Sequence, residues 1–352
     1  MTSDPRGTLI ENELQESPVD RRFLRALFID LTGRTPLPRE AEEAFGTKRI
    51  DLIERLVGSV AFFEGLYEEE LFYFLLIDNF RPSTEAFVEM PGQLEQQKLS
   101  VKDALRQIVS SQFFNARNPG NDTFVTVVLE QLLGQTVQKN VRTLDAGKRM
   151  YDGAEATFLG VKGSNQADLV KIAVDHPDFE KFFLQRHYGA IFGRPRDPKM
   201  LQDDAERLRQ QPLSYPRIVT DWTASLGYEQ LLLTLRPKSD RVFIRSLFVD
   251  LLDRQPEAQE LRRCRNALLA LSDTNPLRSV LIKLMLDSGA ADSLVGGPEA
   301  PEEFVRRQFV RFLCREPDPK EIKSFTGALE SRACTRRTVV RAILTHPEYQ
   351  SY

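Results

Sequence analysis

The chain has 352 residues, with 48 Lys and Arg against 51 Asp and Glu and a formal net charge of -3. That balance argues against a general nucleic-acid coat, which needs a basic face, and a composition of 41% hydrophobic and 28% charged residues excludes a disordered chain. No stretch approaches eighteen consecutive apolar residues, so no membrane span is expected, and the length leaves room for two or three compact parts.

Residues 1–20 read as an N-terminal tail. Met1 to Arg22 is polar, with mixed charges, and lacks the basic-then-apolar layout of a signal peptide. Six helical units follow, at 21–66, 67–118, 119–181, 182–236, 237–298 and 299–352. The first carries Phe23-Leu24-Arg25-Ala26-Leu27-Phe28-Ile29-Asp30 and reaches Arg34 and Pro36. The fifth repeats the phrase from Phe243 to Arg254 and Pro256, and the sixth from Phe304 to Arg315 and Pro317. In all three an aromatic precedes an arginine by eleven positions and a proline follows two later. Looser copies open the third unit at Phe124, ending in Gly134-Gln135, and the fourth at Phe183, ending in Gly193-Arg194-Pro195. The second is degenerate, running from Leu71-Phe72-Tyr73-Phe74 into Arg81-Pro82.

Within a unit the spacing predicts helices. Phe243, Leu247, Phe248, Leu251 and Leu252 gather on one helical face, with Arg245 and Asp250 outside the stripe. Gly33 followed by Pro36 is a helix stop, and Asp197-Pro198 and Asp318-Pro319 read as an N-cap plus first-turn proline. A further helix closes each unit in a phrase such as Asp175-His176-Pro177-Asp178-Phe179 or Thr345-His346-Pro347-Glu348-Tyr349. The β-branched run Thr123 to Leu129 is assigned to helix because it occupies the place of the Phe helix in other copies. Gly153 to Gln166 reads as an inserted surface loop, and Asn115 to Asn121, Leu235 to Asp240 and Leu294 to Pro301 as joints. The expected fold is all-α: tandem repeats of short units (aromatic helix, Arg-x-Pro turn, further helices) packed in pairs or stacked.

Motifs for chemistry are sparse. His176 and His346 occupy equivalent places before proline, which suits a cap or turn role, and His187 has no partner at metal-ligand spacing. No Gly-rich phosphate loop and no nucleophile elbow occurs. Glu68-Glu69-Glu70 reads as a solvated helix start. Cys264, Cys314 and Cys334 form no CxxC pair, which points to a reducing, cytoplasmic setting. The turn arginines Arg34, Arg194, Arg254 and Arg315 recur, so they read as a folding device, capping a helix end or pairing with a nearby carboxylate. The aromatics Phe23, Phe124, Phe243, Phe304 and Tyr349 read as core on the same ground. The surfaces left for a partner are those that differ between units: the inserted loop and the basic face Arg336, Arg337 and Arg341.

The stretch Gln93 to Phe114, with Leu99-Ser100-Val101-Lys102-Asp103 and the closing Ser110-Ser111-Gln112-Phe113-Phe114, resembles phycobilisome linker domains. Phe124 to Leu133-Gly134 continues the likeness, which covers residues 71–183, and His346-Pro347-Glu348-Tyr349 matches the family's closing phrase. The short unit is also similar to tandem helical repeats of bacterial cell-surface proteins. The resemblance implies that 67–181 form a linker-like pair and that the chain is a helical scaffold organising other proteins. Gln135 stands where the family has its turn arginine, and this chain is slightly acidic where such linkers are basic. The expectation is a non-enzymatic linker without cofactor or metal, binding an abundant assembling protein or a second copy of itself. A cell-surface module and an enzyme with a site between units are the alternatives.

Overall fold

A computed structural model describes residues 14–68 and 85–352. The start of the second repeat at Leu71, the Arg81-Pro82 turn, Glu69 and Glu70 lie outside the described residues. The described chain is mostly α-helical, with one two-stranded hairpin, and no helix among the described residues is long and apolar enough to cross a membrane. It divides into two compact units. One takes in the described part of Met1–Ile53 together with Ala224–Tyr352; the other is Glu54–Thr223.

In the discontinuous unit, the helix Arg21–Thr32 starts on Asp20, whose carboxylate accepts the Phe23 N–H at 2.9 Å, and ends on Gly33. It buries Phe23, Leu24, Leu27, Phe28 and Leu31. The helix Asp240–Leu252 is the most enclosed in this unit. Its apolar stripe is buried as the spacing predicts, apart from the half-buried Leu252, but Arg245 and Asp250, off that stripe, are buried too. Neighbouring elements cover it on more than one side, so a single-face reading of its sequence undercounts its burial. It packs with Pro301–Leu313 and Arg336–Thr345 in one apolar cluster that includes Phe243, Leu247, Phe304, Phe309, Val340 and Tyr349. Full burial of each such side chain contributes about 1.5–3 kcal/mol. The segment read as a joint, Leu235 to Asp240, is pinned. Arg236 and Tyr352 exchange backbone hydrogen bonds at 3.0 and 2.9 Å, and the Lys238 N–H donates to the Gln350 carbonyl at 3.0 Å.

In the continuous unit, Phe114 and Phe124 are fully buried and meet edge to face at 5.2 Å. Asn121–Val127 is helical and winds into a π-helical turn at Val128–Leu132. The helix Pro177–Phe192 runs unbroken from its His176 cap through Phe183. The reading of Gly153 to Gln166 as loop is corrected: Ala156–Phe158 and Val161–Gly163 form an antiparallel hairpin with Phe158 paired to Val161. Its two connecting residues, Leu159 and Gly160, both have positive φ, at 49° and 83°. That is the twist two-residue hairpin turns need. Phe158 is fully buried, which anchors a pair of strands too short to persist alone.

His187 lies inside this unit among Phe183, Tyr215 and Trp222, with ring centroids 6.4, 5.6 and 6.1 Å away. Its Nδ1 is hydrogen-bonded to the Tyr215 hydroxyl. Burial, and then the Arg186 charge, push its pKa down to about 3. The folded state therefore refuses a proton that the unfolded chain accepts near its ordinary value of 6.5. Stability is lost as pH falls from 6.5 towards 3, by up to about 1.4 kcal/mol per pH unit. Trp222 is the only tryptophan and reports this unit directly. Urea unfolding followed by its fluorescence at pH 7 and pH 5 should show His187→Gln losing about 2 kcal/mol less than the parent chain. Equal losses would remove His187 as the cause.

Candidate interaction surfaces

The recurring arginine turn has one geometry at its three best copies. The aromatic helix ends in a left-handed residue: Gly33 at φ 69°, Asp253 at 52°, Cys314 at 56°. The next residue is the arginine. Arg34 grips Glu40 with both terminal nitrogens at 2.6 and 2.7 Å, Arg254 grips Glu260 at 2.7 and 2.8 Å, and Arg315 grips Glu321 at 2.8 and 2.9 Å. Each also donates to the carbonyl of the following residue, at 3.0, 3.0 and 3.1 Å. Each glutamate accepts a backbone N–H, from Leu37, Glu257 and Asp318 respectively. The guanidinium lies over the ring of Phe28, Phe248 or Phe309 at 5.6, 5.2 and 5.2 Å. The arginine thus ties the end of one helix to the start of the next. Pro36, Pro256 and Pro317 lie inside the loops so closed.

The fourth turn is different. Gly193 is left-handed at φ 64°, but Met200 stands six residues after Arg194, and Arg194 is exposed. Arg196 takes over, lying over Tyr188 at 4.9 Å and bonding Asp204 at 2.8 Å; Asp204 also accepts from Trp222 Nε1 at 2.9 Å. At the third turn, Gln135 Nε2 donates to Asp178 at 2.8 Å.

Two buried carboxylates collect the discontinuous unit. Asp30 and Asp250 each stand seven residues after the opening phenylalanine. Asp250 accepts from Arg25 at 3.2 and 2.7 Å, from Thr35 at 3.2 Å and from the Tyr349 hydroxyl at 2.9 Å. Asp30 accepts from both terminal nitrogens of Arg236 at 2.7 Å, from the Tyr228 hydroxyl at 2.8 Å and from the Tyr352 hydroxyl at 2.7 Å. The closing tyrosines also meet the opening aromatics alike: Phe23 and Tyr228 at 6.3 Å, Phe243 and Tyr349 at 6.4 Å, both edge to face. Burial, and then the adjacent aspartate, push both phenols well above the usual tyrosine range, so they remain donors. In the sixth unit the equivalent position is Arg311, which donates to the Asp250 carbonyl and to Asp253.

His176 and His346 are helix N-caps, their Nδ1 accepting the N–H of Asp178 at 3.2 Å and of Glu348 at 3.3 Å. Phe23, Phe124, Phe243, Phe304 and Tyr349 are buried. The basic face is divided. Arg336 clasps the Gly297 and Glu299 carbonyls and lies over Phe304; Arg337 pairs with Asp292 at 2.6 Å; Arg341 is exposed. Lys238 is buried against the Tyr349 ring and carbonyl, and burial, then Arg25, lowers its pKa well below the lysine range. All three cysteines are free. Among the described residues no group of three or more His, Cys, Asp or Glu is placed to hold a metal ion.

Sequence reasoning located the arginine, but not its glutamate six residues on nor the two aspartates. The first signal was present, since Glu40, Glu260 and Glu321 share one offset. Within the discontinuous unit a cleft of about 330 Å³ is lined by Arg21, Arg25, Arg307 and Arg311 above an apolar floor. In the continuous unit the hairpin borders a cleft with Lys162, Lys171, Asp175 and His176 on its walls. No protein-family model matches the chain, and no curated protein matches its sequence.

Exposure ranks the turn arginines. The Arg34 side chain is 4% exposed and that of Arg254 is 47% exposed. Arg34→Ala leaves a buried turn without its donor and should cost about 2–3 kcal/mol, whereas Arg254→Ala should cost less than about 1 kcal/mol. Urea unfolding of the two variants checks this; equal costs would contradict the burial argument. Glu260 is held down at about 2, first by its hydrogen bond from Arg254. That pair therefore stays ionised through mild acid and is lost as pH falls through about 2.

Proposed function

We propose that the chain is a tandem helical scaffold, a non-enzymatic linker that binds and organises other proteins, in a reducing, cytoplasmic compartment. The observation that carries this reading is the recurring turn, whose charged groups satisfy one another at three sites. A device repeated with the same internal contacts serves folding, so the residues that vary around it are available for recognition. The buried ionisable groups point the same way. Asp30, Asp250, Lys238 and His187 bond within their own units, which suits architecture rather than turnover.

Partner binding would use several modest surfaces together, so that tethering raises effective concentration. Arg341 is one such exposed residue. Val280 and Leu284, four apart on the helix Asn275–Asp287, are 50% and 60% exposed and offer an apolar edge. The linker-like likeness of residues 71–183 supports the same class of role.

Crosslinked capture from the native cell with the full chain as bait, read by mass spectrometry, tests the reading. The expected result is one abundant assembling protein, or the chain itself, at a near-constant ratio to bait. Recovery of monomeric bait alone, with light scattering giving only monomer, would overturn it.

A further inference from the structure

We infer that the arginine-lined cleft of the discontinuous unit is a docking pocket for an acidic peptide segment of a partner protein, one that inserts an apolar side chain between its carboxylates. The inference rests on the scaffold reading above and supplies the chemistry of one partner contact.

The cleft joins two surfaces that such a segment requires. Its floor is apolar, with Leu24, Pro36, Ala41 and Phe45 contributing, and Phe45 remains 37% exposed. Its volume of about 330 Å³ lies at the small end of ligand sites, room for one large side chain and its flanks rather than an extended cofactor.

The charge around that floor is unbalanced. Four arginines line it against two aspartates. Asp250 is occupied by Arg25, Thr35 and Tyr349, and Asp253 by Arg311. Arg307 is paired with Glu299 yet 40% exposed. Arg21 has no carboxylate partner among the described residues; its guanidinium lies over the Phe45 ring at 4.9 Å. It also stands in the first turn of the helix Arg21–Thr32, which carries no acidic residue there. A cation at that end opposes the helix macrodipole, which the Asp20 carboxylate at the N-cap offsets. A carboxylate from outside would meet a guanidinium whose planar fork suits bidentate bonding.

Titration calorimetry of the full chain with the synthetic peptide acetyl-Asp-Asp-Phe-Asp-Glu-amide tests the pocket. Arg21→Glu should weaken binding by about tenfold or more, the factor of one ion pair worth about 1.4 kcal/mol. The same variant suits the helix N-terminus, so thermal melting should show no loss of fold. Lys323→Glu, exposed and outside the cleft lining, should bind as the parent does. Replacing the peptide's acids with amides, or its Phe with Ala, should weaken binding similarly. The proposal is overturned if the parent does not bind, if Arg21→Glu binds equally, if Lys323→Glu loses as much, or if phenylacetate alone binds as tightly as the peptide. Failure here with a partner still captured from the cell would remove the pocket and leave the scaffold reading standing. Binding here without any captured partner would do the reverse.

Discussion

The carboxylate of Asp250 is the constraint on which the discontinuous unit depends. It lies 6% exposed on the enclosed helix and receives a guanidinium, a threonine hydroxyl and a tyrosine hydroxyl from three other segments. Arg25 and Thr35 lie some two hundred residues earlier in the chain, and Tyr349 lies in the closing phrase. A buried ion pair is weak evidence of net stabilisation, because desolvation opposes attraction. What it does enforce is position. Any arrangement that misplaces one of these segments leaves a charge or hydroxyl buried without a partner, at about 1–3 kcal/mol or more for each group. Asp30 applies the same rule to Arg236, Tyr228 and Tyr352. Apolar packing brings the helices together, and these polar contacts select one register.

The repeated turn works at shorter range. It sets the angle between an aromatic helix and the next by a fork of two hydrogen bonds, a backbone contact and a ring face. The core contacts are shared, but exposure varies from copy to copy and Arg315 adds Glu348 at 2.8 and 2.9 Å, so the turn's contribution to stability depends on its surroundings. Such a chain has fixed geometry at its turns. The arginine cleft illustrates this. It is bounded by the turn at Pro36 and by the helix ends at Asp253 and Cys314. The repeated parts hold it in place, while Arg21 and Phe45 give it chemical character.

The helical class was legible because its signals are local: apolar residues at helical spacing, Gly33 and Gly193 at helix ends, and Asp318-Pro319 at a helix start. The Arg34 turn was half legible. Its role as a folding device follows from recurrence, but the partner six residues away is found only by aligning the copies. The hairpin escaped because its strands are three residues long and its turn is Leu-Gly, so alternation hardly has space to register. Arg196 escaped because the repeat pointed to Arg194, and only the absence of Glu at position 200 warned of a substitute. The Asp250 cluster was not legible at all. Burial of a charge off the apolar stripe depends on helices distant in sequence, and no local pattern encodes it. The cleft, too, combines Arg21 with Arg307 and Arg311, which only folding brings together.

The most direct test of the account is the unfolding free energy of Asp250→Asn against that of Asp253→Asn in urea. The first removes a buried charge that Arg25 faces; the second removes one whose side chain is 55% exposed and pairs with Arg311 at 2.8 Å. The account predicts a loss of about 3–5 kcal/mol for Asp250→Asn and less than about 1 kcal/mol for Asp253→Asn. Losses of equal size, or a fully stable Asp250→Asn chain, would contradict it.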